Sequence, residues 1–76
     1  MRIHEMVELA EKWVEDKECG NDKAREYAQF ARSEYDTGCR YRAAMNALSA
    51  IGATVGSFNE DYKKVWNACD KLMQPK

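Results

Sequence analysis

The sequence predicts an all-α protein, a compact up-down bundle of four helices over about 2–18, 22–36, 39–55 and 58–73. Three observations predict it. Apolar residues recur at three- and four-residue spacing in four successive stretches, the signature of one buried helical face. Short junctions containing Gly, Asn, Asp or Ser separate those stretches, and short junctions make consecutive helices antiparallel neighbours. The stretch Ala43–Asn59, AAMNALSAIGATVGSFN, carries no charged side chain in a chain that is 33% charged. A charge-free amphipathic segment implies burial over most of its circumference.

In the first helix Ile3, Met6, Val7, Ala10, Trp13 and Val14 share one face, with Leu9 at its edge. The opposite face is acidic, and Glu8–Lys12 is a favourable i,i+4 pair. Cys19-Gly20-Asn21-Asp22 stops this helix and starts the next, with Gly20 suited to a left-handed position and Asn21 or Asp22 to an N-cap. Ala24, Tyr27, Ala28, Ala31 and Tyr35 mark the inner face of the second helix, and Phe30 lies to one side of it.

Asp36-Thr37-Gly38 is a break signal. The apolar phase nevertheless runs on from Ala28 to Leu48, so a three-helix bundle with one long central helix over 22–55 is the alternative, since one Gly costs a helix only about 1 kcal/mol. A break is favoured because so long a helix would leave too few residues to close a core. The third helix has a bulky face of Tyr41, Ala44, Met45, Leu48, Ile51 and Val55 and a narrow stripe of Ala43, Ala47, Ala50 and Thr54. Gly56 ends it. Ser57-Phe58-Asn59-Glu60 matches a capping box and opens the fourth helix. Phe58, Tyr62, Val65, Trp66, Cys69, Leu72 and Met73 form its expected core stripe, and Pro75 its stop.

Seventy-six residues make a single helical domain, 1–76, near the small end of what one core stabilises. A net charge of −1 argues against generic attraction to nucleic acid or anionic lipid. The charge-free run is too short and too polar for a membrane span. Three cysteines at irregular spacing, and an opening MRIHEMVELAEKW without secretory pattern, point to free thiols in a reducing compartment, hence the cytoplasm.

Chemistry finds little to work with. The one histidine, His4, has no Ser or Asp spaced for a triad, the glycines form no phosphate loop, and adjacent carboxylates point apart on a helix. The sequence reads as no enzyme, with no catalytic residue and no cofactor. His4, Cys39 and Cys69 fall near one end of an up-down bundle, but no spacing among them is a metal-ligand spacing, and no metal is expected.

Lys23, Arg25, Arg32, Arg40 and Arg42, interleaved with tyrosines, could serve a small nucleic-acid-binding regulator. The helix after Gly38 would then read bases with only Asn46 and Ser49, which makes nucleic acid an unlikely partner. Tyr35, Gly38, Tyr41 and Ala44 resemble the turn of a tetratricopeptide-type helical hairpin, in a single copy and with the glycine one position early. The resemblance implies a helical hairpin with small-residue packing.

The small stripe is the feature that points to function. Either the chain's own helices cover Ala43, Ala47, Ala50 and Thr54, or a second molecule does, with Phe30 and Leu9 as further apolar contacts. The expected function is a small non-catalytic protein-binding module that occupies a surface of a larger partner, as an adaptor or an inhibitor of the sort phages and mobile elements encode. A homodimeric structural module is the remaining reading.

Overall fold

In the computed structural model, which describes residues 1–73, the chain forms α1 (Ile3–Val14), α2 (Asp22–Asp36), α3 (Arg40–Val55) and α4 (Glu60–Met73). It is an all-α four-helix bundle, with no strand among the described residues. None of its described helices is long and apolar enough to cross a membrane. The expectations for the Met73 side chain and for Pro75 lie outside the described residues.

Local chemistry explains where the helices stop. α1 ends four residues before its expected boundary because Asp16 Oδ1 accepts from the backbone N–H groups of Glu18 (2.8 Å) and Cys19 (2.9 Å). A side chain that satisfies those donors competes with the helix for them. The bonds hold the Asp16 carboxyl below its ordinary range, the one from Cys19 contributing most. Gly20 is required here by close approach and not by a left-handed backbone: a Cβ would lie 2.3 Å from the Val14 carbonyl oxygen.

Asn21 then caps α2, accepting from Ala24 N–H at 2.9 Å. Its amide nitrogen also donates to the Ala53 carbonyl at 2.9 Å, which ties the head of α2 to the tail of α3.

The α2–α3 junction rules out one continuous helix. Gly38 has φ +86°, Gly38 N–H bonds to the Tyr35 carbonyl and Cys39 N–H to the Glu34 carbonyl. That pair of bonds is a Schellman turn, which only glycine enters at little cost. At α4 the cap is Asn59, whose side chain accepts from Asp61 N–H at 2.8 Å, so the helix starts at Glu60 and not at 58.

Packing centres on α3. It touches all three other helices, α2 most extensively, whereas α4 packs almost entirely on α3. The turn at Gly38 and the Asn21–Ala53 bond fix the antiparallel register of α2 and α3. That register sets Ala24, Ala28 and Ala31 level with Ala50, Ala47 and Ala43, all buried. Two alanine faces let helix axes approach closely, toward the short end of the 8–10 Å range. The remaining core comes from Met6, Val7, Ala10 and Val14 of α1, Ala44, Leu48 and Ile51 of α3, and Val65, Ala68 and Cys69 of α4.

Two core expectations are overturned. Tyr41 is 48% exposed because it sits in the first turn of α3. Among the described side chains of α4 only Val65, Ala68 and Cys69 are buried, while Trp66 and Leu72 are exposed and Tyr62 is half-buried; Phe58, just before the helix, is exposed too. A helix with essentially one neighbour buries a narrow stripe, and the wider heptad face of α4 therefore turns outward in part.

Candidate functional site

The stripe that sequence reasoning offered to a partner is largely inside the molecule. Ala43, Ala47 and Ala50 have no exposed surface. Thr54 is half-buried, its hydroxyl donating to the Ile51 carbonyl at 2.8 Å. Leu9 packs against the core. Phe30 is 57% exposed on α2, but Glu26 and Ser33, which flank it on that face, are exposed polar residues, so it stands singly. A lone surface apolar residue is ordinary.

The five basic residues of α2 and α3 do not form a common patch. Arg32 makes a bidentate pair with Glu11 of α1, with Nε 3.1 Å from Oε2, and its guanidinium lies 5.9 Å from the Tyr35 ring centre. Arg25 pairs with Asp22 at 2.8 Å. Lys23, Arg40 and Arg42 are exposed. The groove between α1 and α2, about 520 Å³, is compensated internally, since Glu11, Glu15 and Asp36 line it together with Arg25 and Arg32.

No three His, Cys, Asp or Glu side chains converge on a metal-sized site among the described residues. The three thiols are free. Cys39 is exposed, while Cys69 is buried with its thiol 3.6 Å from the Ala44 carbonyl, and burial pushes its pKa up.

Large apolar side chains are exposed on α4 and just before it. Phe58 is 91% exposed, directly before the Asn59 cap. A residue there often staples onto an apolar side chain four positions into the helix. Here that position is Lys63, so the phenyl ring has nothing of that kind to cover it. Trp66 is 50% exposed two turns further on. Between them the Tyr62 ring lies across Gly52 of α3, where a Cβ would approach it to 3.0 Å. Tyr62, Lys63, Trp66 and Asn67, with Ser57, wall a shallow groove of about 420 Å³.

Comparison of the chain with protein-family models, with curated proteins and with solved structures gives no match.

The exposed face of α4 therefore rests on geometry alone. Sequence reasoning placed Phe58 and Trp66 in the core because their spacing fits a buried stripe. Lys63, at the staple position after Phe58, is the signal in the sequence that marks Phe58 as uncovered.

Proposed function

We propose that the chain is a non-catalytic helical protein-binding module that occupies a surface of a larger protein through the outer face of α4. One observation carries this reading: Trp66 is 50% exposed on a helix that has essentially one neighbour, and Phe58, just before that helix, is 91% exposed. Aromatic side chains bury about 150–250 Å² each and dominate interface energetics. Tryptophan and tyrosine are also the commonest residues to carry binding energy when a partner seals them from water. Tyr62, held against Gly52, supplies a preorganised ring between them.

An adaptor or an inhibitor acts in this way, by covering a surface without chemistry. The free thiols support a reducing compartment, the cytoplasm. The nucleic-acid reading loses support because Arg25 and Arg32 are already engaged by carboxylates. The homodimer reading loses the stripe that motivated it, since Ala43, Ala47 and Ala50 are covered within one chain.

The test compares proteins retained from native-host extract by the tagged chain and by a Phe58→Ser/Trp66→Ser variant. A protein retained by the first and by Phe30→Ser, and lost from the double variant, is the expected result. Identical retention by all three removes the α4 face from consideration.

A further inference from the structure

A second groove, about 650 Å³, opens where the start of α1, the end of α2 and the start of α3 meet the second half of α4. Its charged lining among the described residues is Arg2, Arg40, Lys64 and Lys71, with His4 beside them and no Asp or Glu. These residues come from three separate segments, so no linear motif announces them. The balance elsewhere is opposite: apart from these four Lys and Arg, the chain has eight basic residues against thirteen acidic ones. A chain of net charge −1 has thus gathered a third of its Lys and Arg around one concavity. The Glu5 carboxyl, just outside it, sits below its ordinary range. The Arg2 backbone N–H, 2.9 Å away, is the main cause, and the charges of His4 and Arg2 add to it.

We propose that this groove takes an acidic segment of a partner protein, with carboxylates meeting Arg2, Arg40, Lys64 and Lys71. The inference rests on reading α4 as the partner-binding face, and it adds the chemistry of the partner. Asn67 lines both this groove and the one beside Trp66, so the two adjoin at that residue of α4.

Ile3, Ala68 and Leu72 give the groove apolar lining between the cations, which suits a segment that alternates carboxylates with apolar side chains. A polynucleotide fits less well. Neutralising many phosphates in line needs a longer track of cations than four, and the acidic remainder of the surface would repel the flanking backbone. Complementary charge of this kind steers encounter and rejects wrong partners more than it adds raw affinity.

Selection of short random peptides displayed on phage against the full chain tests this without knowledge of the partner. Enriched peptides should carry several Asp or Glu around an apolar residue. Synthetic copies should shift the amide signals of Arg2–Met6, Arg40 and Lys64–Leu72. Their affinity should fall as salt rises from about 50 to about 300 mM, as the screening length shortens. Lys64→Glu/Lys71→Glu should weaken them about tenfold with an unchanged melting curve, and Lys64→Gln/Lys71→Gln serves if the reversal does not fold.

Peptides without acidic bias that are lost in Trp66→Ser and kept in the charge reversal overturn the groove assignment and leave the α4 face standing. No enrichment overturns both. A single-stranded oligonucleotide that displaces the acidic peptides and shows the steeper salt dependence overturns the assignment to protein.

Discussion

Asp61 of α4 accepts the indole N–H of Trp13 of α1 at 2.9 Å, joining two helices whose backbones otherwise stay apart. α4 leans on α3 through a narrow stripe, and this bond ties its first turn to α1 as well. Asp61→Ala leaves a half-buried indole N–H without its acceptor, which costs about 1–2 kcal/mol. For a domain this size each kcal/mol lowers the melting temperature by roughly 4–8 °C. Asp61→Asn keeps an acceptor and should lose less. Thermal melts of the two variants and of Trp13→Phe check this, and equal melting of Asp61→Ala and wild type would refute the role of the bond.

Asn21 has two duties, capping α2 and holding the Ala53 carbonyl. Asn21→Ala removes both and should cost about 2 kcal/mol, the upper end for a lost cap. Asn21→Asp keeps the cap but replaces the donor to Ala53 with an oxygen, and should recover only part of the loss. Urea unfolding of the three proteins separates the two contributions.

The burial of the alanine stripe makes a sharp prediction. Ala47→Glu places an unpaired carboxylate at a position with no exposed surface. Breaking an interior in this way costs at least about 3 kcal/mol, against a total of about 4–11 kcal/mol for a chain of 76 residues. The variant should unfold at a markedly lower urea concentration, its stability reduced by at least about 3 kcal/mol. Wild type should scatter light as an 8.8 kDa monomer. An Ala47→Glu variant as stable as wild type would mean that the stripe is open to solvent.

Acid should loosen the α1–α2 turn. The Asp16 carboxyl is held below its ordinary range by the Cys19 and Glu18 N–H groups. A depressed pKa contributes stability that is present above the unfolded value and lost as pH falls through the folded one. Stability should therefore decline below about pH 4, and Asp16→Asn, which keeps the acceptor without titrating, should flatten that decline. Denaturant midpoints across the acid range provide the measurement, and an identical slope in the two proteins would assign the acid loss elsewhere.

The four helices and the α2–α3 junction were legible because each depends on local chemistry, whereas the cap of α4 is Asn59 and not the expected Ser57. The Gly38 turn, the Asn21 cap and the apolar phase are all properties of neighbouring residues. The end of α1 was missed because Asp16 reads as one more acidic residue on a solvated face, when its side chain in fact takes over the N–H groups that would continue the helix.

The site was legible only in part. A helical wheel shows which residues share a face but not how many neighbours the helix has. α3 has three neighbours, so its alanine stripe, which stood out as lacking charge, is interior. α4 has essentially one, so Trp66, which looked interior, faces water. The cationic groove was out of reach for another reason: Arg2, Arg40 and Lys64 are distant in sequence and meet only in the folded chain.

The most direct test of the α4 face is photo-crosslinking from single positions in the native host. A benzoylphenylalanine in place of Trp66 should form an adduct with one larger protein, and the same probe in place of Ser49, on the open side of α3, should form none. Adducts from position 49 or 30 with none from 66, or an adduct of only two copies of the chain, would contradict the account.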